Sequence, residues 1–399
     1  MKALLKEGEG ILRLAPAWVP RAFCIPGKRI RLHPDDYYVL GLKRGGIDER
    51  WFASTTHADN GPDTPEDEGL SYVVSADGKR RVLLKDMVAQ LQGALIGDAL
   101  WQKYRRWPMF SKFFDNKGPL PHHIHHREAH AARVGESGKP EMYFFPSQYN
   151  NHGGTFPFTF FGLTPGTSKA EVKKCLEDFA KGDNCLLDLS QAFKITLDTG
   201  WDVPPGVLHA PASLCTYEPQ FASDVYAMYQ SVLYGGECVS EDLLWKNCPE
   251  EEKGNFDYLM DVIDWDVNVD PYFKQNRFMA PVVIRADEAH CEEWVCYKCS
   301  TVSAKRLTVY PGQSVTVTDE AAYGMILIEG RGKMGVWNIE TPTLIRYGEL
   351  TSDEFFVSFD AAKRGVTITN TSATEPLVML KHFAENPELD RFMAAKEAQ

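Results

Sequence analysis

The sequence lacks the features that mark membrane-spanning and nucleic-acid-binding proteins. No apolar run approaches the roughly 20 residues that cross a bilayer. Basic residues are in deficit, with 43 Lys and Arg against 55 Asp and Glu and a net charge of −12, whereas a nucleic-acid surface needs a basic stripe. The first ten residues, MKALLKEGEG, interrupt their short apolar patch with acids, so we expect no signal peptide. We therefore expect neither a membrane nor a nucleic acid as a partner.

Paired cysteines are also missing. The nine cysteines are an odd number and are scattered along the chain, whereas a disulfide framework uses an even set at close spacings. Reduced thiols are typical of a reducing compartment. We expect a cytoplasmic protein whose cysteines are not cross-linked.

What the chain does contain is a mainly β pattern. At 399 residues with 44% hydrophobic content it is long enough for two or three domains with sizeable cores. Short apolar runs alternate with Gly, Pro and Asp clusters over about residues 1–80 and 186–229, and strict alternation returns over 281–383. Many short strands separated by turn residues are typical of sandwiches or barrels.

Helical signals interrupt this β pattern. Apolar residues recur every three to four positions from about Leu84 to Trp101, which predicts one helix there. Ser168 followed by Glu171 is a capping box, so a second helix is expected at Lys169–Lys181. Residues 238–275 and the C-terminal tail are also predicted to be helical.

Histidines concentrate in the segment PHHIHHREAHAARVGESGKPE, residues 121–141. His123 and His125 are two apart, so on a strand both imidazoles would point to one face. A slip of one residue would present His122 instead. Glu141 ends the segment after the turn signal at Gly135–Pro140, and His209 follows a Val-Pro-Pro-Gly corner. Such a mixed nitrogen and oxygen set suits a catalytic divalent metal.

The residues around these histidines carry a family resemblance. The motifs FSKFFDNKGPLPHHIHH, GKPEM, WDVPPGVLHA and YEPQFASDVYAMY occur in that order. Together they resemble type I mannose-6-phosphate isomerases of the cupin superfamily. IDERWFAS and FGLTPGTSKAEVKKCLED extend the resemblance to roughly residues 40–230.

The resemblance implies a mainly β fold of two cupin (jelly-roll-type) barrels with helical insertions. We accordingly expect an N-terminal metal-binding cupin domain with an added helix at 1–235, a helical linker at 236–280 and a degenerate C-terminal cupin domain with a terminal helix at 281–399. The metal ligands it implies are His123, His125, Glu141 and His209. The pocket residues and candidates for catalysis it implies are Lys139, Glu218 and Lys112.

Three positions depart from the family pattern. His123 replaces a glutamine, Pro121 replaces a serine associated with the substrate phosphate, and Met228 stands where the catalytic arginine is expected. Methionine cannot offer an arginine's charged fork to a phosphate or an oxyanion. Arg127 and Arg133 are the candidates to compensate for this loss.

These observations predict a metal-dependent aldose–ketose isomerase acting on a sugar, with or without a phosphate. One divalent ion is expected, Zn²⁺ first, with Mn²⁺, Fe²⁺ or Ni²⁺ as alternatives. The partner is then a small-molecule sugar or sugar phosphate, and the chain is a candidate homodimer. Two other classes stay open: another bicupin metalloenzyme, such as an iron oxygenase or a sugar lyase or epimerase, and a non-catalytic sugar-binding protein.

Overall fold

The computed structural model describes residues 1–150, 156–211 and 214–397, and within them the protein is mainly β. Its strands form four antiparallel sheets. The seven-stranded sheet contains, in spatial order, Phe278–Met279, Gly200–Val203, Glu141–Phe144, Thr216–Phe221, Met109–Phe114, Gly46–Phe52 and Ala17–Arg21. The five-stranded sheet contains Ser190–Lys194, Phe158–Leu163, His209–Ala210, His123–Ile124 and Ala227–Met228.

The other two sheets come largely from the C-terminal part of the chain. The nine-stranded sheet contains, in order, Val282–Ala286, His290–Cys296, Val302–Val309, Leu377–Ala384, Tyr323–Glu329, Glu354–Val357, Ile11–Ala15, Tyr72–Val74 and Arg81–Leu83. The four-stranded sheet contains Ser314–Val317, Val366–Asn370, Arg331–Met334 and Trp337–Glu340.

The sheets pack in pairs. The five- and seven-stranded sheets, here the first sheet pair, meet through aromatic contacts such as Phe161 with Tyr143 and Trp201. The nine- and four-stranded sheets, here the second sheet pair, share one apolar core. Another core joins the seven-stranded sheet to the nine-stranded sheet, so the seven-stranded sheet is buried on both faces.

The expected mainly β fold is therefore confirmed, but the two barrels are not. Within the described residues no sheet closes on itself, because each pair consists of two separate sheets that face each other across a core. The sheets also cross the expected domain division at residue 235. Three strands from before residue 84 lie in the nine-stranded sheet, where Ile11–Ala15 pairs with Glu354–Val357.

The α-helices are short, and two of them, Lys169–Glu177 and Phe256–Val262, share an apolar core with the five-stranded sheet. The α-helices are Lys2–Glu7, Leu84–Leu91, Gly93–Ile96, Asp98–Tyr104, Glu128–Ala131, Lys169–Glu177, Phe256–Val262, Trp265–Asn268, Phe273–Arg277, Phe359–Arg364 and Pro387–Glu397. Single 3-10 turns occur at Pro34–Asp36, Leu42–Arg44, Ala132–Val134, Ser147–Tyr149, Phe179–Lys181, Leu186–Leu189, Glu241–Leu243 and Glu250–Glu252. In the part of the chain that the structure describes, no helix combines the length and apolar character that a membrane span requires.

Two helix predictions can be compared with these bounds. The capping box of Ser168 and Glu171 is present, and the helix it starts ends at Glu177, with a 3-10 turn continuing to Lys181. The single helix expected from Leu84 to Trp101 is wrong, because the chain breaks at Gln92 (φ 52°) and at Gly97 (φ 89°). Positive φ values are incompatible with a continuing right-handed helix.

Candidate active site

Strand alternation in the seven-stranded sheet separates core side chains from cleft side chains. Met142 and Phe144 belong to the core shared with the nine-stranded sheet, so Glu141, one residue away, lies on the opposite face. The neighbouring strands follow the same rule, with Phe113 and Tyr217 in that core and Lys112 and Glu218 in the cleft. The cleft therefore lies between the two sheets of the first pair.

Three histidines converge in this cleft from the five-stranded sheet and its loops. His123 is the direct cross-strand partner of His209, and their ring centroids are 4.1 Å apart. One ring nitrogen each from His123, His125 and His209 lies within 4.8 Å of the other two. His122 points elsewhere, to Ser190 Oγ at 2.7 Å. The structure thus brings together the histidines that the His-x-His pattern selected.

Backbone carbonyls fix the orientation of all three rings. The Nδ1 atoms of His123, His125 and His209 lie 3.1, 2.8 and 2.8 Å from the carbonyl oxygens of Pro121, Val225 and Val207. A carbonyl only accepts, so each Nδ1 carries the hydrogen and each Nε2 is left with a lone pair when the ring is neutral. A hydrogen bond from the other ring nitrogen to a carbonyl is the usual support of a metal-binding histidine.

Glu141 brings a carboxylate to the same point. Its Oε2 is 3.1 Å from His125 Nε2 and 2.9 Å from Lys139 Nζ, and its Oε1 is 3.2 Å from His209 Nε2. The hydroxyl of Tyr143 donates to Oε1 at 2.6 Å. Burial would raise the pKa of Glu141, but His125 and Lys139 hold that pKa well below its ordinary value. The carboxylate is therefore anionic.

The donor set fits a cation. Burial lowers the pKa of His125 to about 4 and that of His123 well below its usual range, so both rings are neutral near pH 7. Lone pairs on Nε2 atoms face carboxylate oxygens, and Glu141 Oε2 and His209 Nε2 are buried atoms without a hydrogen-bond partner among the described residues. The contact between His209 Nε2 and Glu141 Oε1 joins two acceptors, whereas Glu141 Oε2 keeps an ion pair with Lys139 at 2.9 Å. A divalent ion held by three nitrogens and one oxygen would satisfy all of them.

Lys112, Lys139 and Glu218 lie beside this donor set. Glu218 Oε1 is 3.4 Å from Lys112 Nζ and 3.5 Å from Lys139 Nζ. Burial, then the charge of Glu141, raises the pKa of Glu218 to about 8. Burial lowers the pKa of Lys112, but the carboxylates of Glu218 and Glu49 outweigh it and raise that pKa overall. The structure thus gathers all seven residues proposed from the sequence in one cleft.

Three charged residues that line the cleft were not proposed from the sequence. Glu49 contacts Lys112 Nζ at 3.2 Å, Arg21 forms a fork to Asp224 at 3.1 and 3.2 Å, and all three line the cleft. Glu49 lies in the IDERWFAS motif, which was a signal for it. No local signal marks Arg21, because its partner Asp224 is 203 residues away.

The structure also shows where Met228 and the two arginines proposed to compensate for it lie. Met228 pairs with His123 across neighbouring strands and lines the cleft. Arg127 donates to the carbonyl of Asp261, and Arg133 pairs with glutamates at 251 and 252, so neither reaches the cleft. The prediction that these two arginines compensate for the missing arginine is therefore wrong, because both contact the helical segment after residue 249.

The cleft encloses about 430 Å³, including its open mouth. Its charged wall carries Arg21, Glu49, Lys112, Lys139, Glu218 and Asp224 beside the histidines. Phe23, Leu120, Pro211, Tyr226 and Met228 line the rest. A cleft with convergent polar groups on one side and apolar groups on the other suits a small polar ligand.

Comparisons with known proteins locate the fold. No protein-family model and no curated protein matches the sequence. Among solved structures, the mannose 6-phosphate isomerase from Bacillus subtilis superposes with a TM-score of 0.63 at 15% identity, covering 94% of this chain and 99% of that one. A putative mannosephosphate isomerase from Archaeoglobus fulgidus gives 0.62 at 13%, covering 94% and 97%. A zinc-bound mannose 6-phosphate isomerase gives 0.61 at 11%, covering 94% and 100%.

These likenesses extend over almost the whole of each chain, whereas the sequence resemblance covered only about residues 40–230. At 11 to 15% identity they bear on architecture alone. The similarity to mannose-6-phosphate isomerases predicted from the motifs is confirmed, and this chain has their fold.

Proposed function

We propose that the protein is a metal-dependent isomerase that interconverts an aldose and a ketose. The observation that carries this proposal is the single buried cleft in which three histidines and Glu141 face Glu218 and two lysines. An isomerase of this kind needs a cation-binding set and a proton-transfer group within reach of the same two sugar carbons. The two sheet pairs would then be the two jelly-roll units expected from the sequence.

His123, His125, Glu141 and His209 are the proposed ligands, and Zn²⁺ is the proposed ion, since zinc prefers imidazole and carboxylate donors in four-coordinate sites. Once bound, the ion would polarise the sugar oxygens and offset negative charge that develops on them. Because the histidine rings are buried, that electrostatic effect is larger than it would be in water.

Glu218 is the proposed proton carrier, and Lys139 is the second candidate. The Glu218 carboxylate would take the C2 proton of the aldose while the aldehyde oxygen gains a proton, which gives an enediol. The same proton would return to C1 while the hydroxyl at C2 loses its proton and becomes the ketone. Lys112 and Lys139, on either side of Glu218, would favour its charged form against burial and the charge of Glu141, which raise its pKa to about 8, and would donate to the sugar oxygens.

We further propose that the part of the substrate that enters this cleft carries no phosphate group. Each of the three cationic side chains is matched by a carboxylate: Lys139 with Glu141 at 2.9 Å, Lys112 with Glu49 at 3.2 Å, and Arg21 with Asp224 at 3.1 Å. A phosphate dianion entering the cleft would face these carboxylates without a free cation to pair with it. Met228 and Pro121 add no charge.

The test is an isomerisation assay on zinc-loaded protein with a panel of free and phosphorylated aldoses, followed by NMR of the products. We expect turnover of a free sugar, loss of turnover in Glu218→Gln with metal still bound, and loss of both in His123→Ala. His126→Gln is the matched control, because His126 is a buried neighbour outside the histidine cluster. Absence of turnover on every sugar refutes the proposal. Oxygen consumption by iron-loaded protein would instead support the oxygenase class.

A further inference from the structure

Arg21 is a buried cation held by groups from three distant parts of the chain. Its Nη1 and Nη2 atoms form a fork to Asp224, its Nη1 also donates to Asn60 Oδ1 at 3.0 Å, and its Nε donates to Glu49 Oε2 at 3.3 Å. Only 4% of the side chain is exposed. Arg21 cannot move without breaking several charge-assisted hydrogen bonds, which are the strong ones in proteins.

Glu49 connects Arg21 to the lysines of the cleft. Its Oε2 accepts from Arg21 and, at 2.7 Å, from the indole of Trp51, while its Oε1 accepts from Lys112 Nζ at 3.2 Å. Lys112 Nζ is in turn 3.4 Å from Glu218 Oε1. The four side chains therefore form a row of alternating charge that ends at the proposed proton carrier.

We propose that Arg21 is a positioning residue that keeps the Lys112 ammonium shared between Glu49 and Glu218. The catalytic part of this inference rests on the proposed function. The buried Glu49 carboxylate contacts two cations, Arg21 and Lys112. If Arg21 is removed, Lys112 is the one of these two that remains on that carboxylate. Attraction between them in a poorly solvated site then draws Lys112 towards Glu49 and away from Glu218. Glu218 loses a partner of its charged form and its place beside the substrate carbons.

The same geometry places a guanidinium at the wall of the cleft that carries Met228. Asp224 lies in the loop before Ala227–Met228 of the five-stranded sheet and receives its arginine from strand Ala17–Arg21 of the seven-stranded sheet. The charge of Asp224 is thus compensated by a residue 203 positions away. This ion pair ties the loop to the strand beside the cleft.

Arg50 offers a matched control for a purely structural role. It is buried on the same strand as Glu49, forms a fork to Asp353 at 2.8 and 2.8 Å, and contacts Glu354 at 3.3 Å. Its partners lie in the nine-stranded sheet, outside the cleft. Replacing Arg50 by Lys therefore breaks an equivalent fork without touching Glu49, Lys112 or Glu218.

The experiment compares zinc-loaded Arg21→Met, Arg21→Lys and Arg50→Lys with the unmodified protein. For Arg21→Met we expect kcat to fall about 100-fold, the low end of what a positioned acid–base group contributes, with KM changed less than about threefold and zinc content unchanged. Arg21→Lys, which keeps the charge but not the fork, should recover about tenfold of that loss. Arg50→Lys should lower the urea midpoint and leave kcat unchanged. Crystal structures of the Arg21 variants should show Lys112 moved away from Glu218.

Three results would overturn the inference. One is an unchanged kcat in a folded, zinc-loaded Arg21 variant. Another is an equal loss of kcat in Arg50→Lys, because that loss would reflect general destabilisation. The third is a Lys112 ammonium that keeps its place beside Glu218 in the Arg21 variants. This last readout needs no substrate, so it decides the inference even if no sugar is converted and the proposed function fails.

Discussion

Acidification should weaken the contact between the two sheet pairs, because His382 is buried there as a neutral ring. Its Nδ1 lies 2.9 Å from the Ser111 hydroxyl and 3.0 Å from the Tyr217 hydroxyl, both on the seven-stranded sheet. Its Nε2 faces Gly324, where an added Cβ would come within 2.0 Å. Burial alone lowers the pKa of His382 to about 3. The folded protein therefore resists protonation of this ring.

The size of the effect follows from proton linkage. The unfolded chain protonates this histidine with a pKa of about 6.5. Since the pKa of His382 is lower in the folded protein, its contribution to stability is complete above the unfolded-state pKa of about 6.5 and is lost as the pH falls below that value. Between about pH 7.5 and pH 5, one such histidine removes about 2 kcal/mol from the free energy of unfolding. The folded pKa needs only to lie well below 5 for this figure to hold.

The substitution His382→Asn isolates the proton-linked contribution of His382 to the free energy of unfolding. The asparagine amide can still meet the Ser111 and Tyr217 hydroxyls but does not titrate. Urea unfolding followed by circular dichroism gives the free energy at both pH values. We expect the variant to lose about 2 kcal/mol less than the unmodified protein on acidification, since the other histidines contribute equally to both. His382→Phe should show the same gain plus a pH-independent loss of about 1–3 kcal/mol from the unpaired hydroxyls. Parallel losses in all three proteins would refute the reasoning.

Three further outcomes are expected. Gly324→Ala should cost about 1–3 kcal/mol of unfolding free energy in calorimetry, because its methyl group would overlap the His382 ring; an unchanged melting temperature would contradict the packing described. Glu141→Gln removes the anionic donor, so zinc affinity measured against a chromophoric chelator should fall at least about 100-fold, while Glu177→Gln on an exposed helix end should leave it unchanged. Ser168→Ala removes the capping box and should cost about 1 kcal/mol in urea unfolding without altering turnover; a change in turnover would mean that this helix contributes to the cleft.

Local patterns predicted local structure well. The Ser168 capping box and the His123–His125 pair each depend on residues a few positions apart, so the sequence contains the whole signal. The breaks near Gln92 and Gly97 escaped the periodicity because apolar residues keep their spacing through them. The second break lies at a tertiary contact: a Cβ at Gly97 would meet the ring of Phe359 at 2.9 Å, and Phe359 lies far along the chain.

Long-range pairings set the limit at the site as well. The family resemblance placed Lys112, Lys139 and Glu218 in one pocket, and its motifs are local. Lys112 and Glu218 lie on paired strands, and Lys139 lies two residues before the neighbouring strand Glu141–Phe144. Arg21 ends a strand of the seven-stranded sheet, whereas Asp224 lies in a loop 203 residues away, so the two meet only in the folded chain. A search for an arginine near position 228 looked along the chain, whereas the arginine that lines the cleft comes from its N-terminal part.

The position of strand Ile11–Ala15 in the nine-stranded sheet has a consequence for biosynthesis. The strand lies between Tyr72–Val74, made soon after it, and Glu354–Val357, made near the end of the chain. Roughly 340 residues separate it from this last partner, which takes roughly half a minute to translate at 5–20 residues per second. During that interval one edge of the strand is unpaired and open to other chains. A nascent chain halted before residue 354 is expected to depend on chaperones. The nine-stranded sheet can be completed only when synthesis is nearly finished.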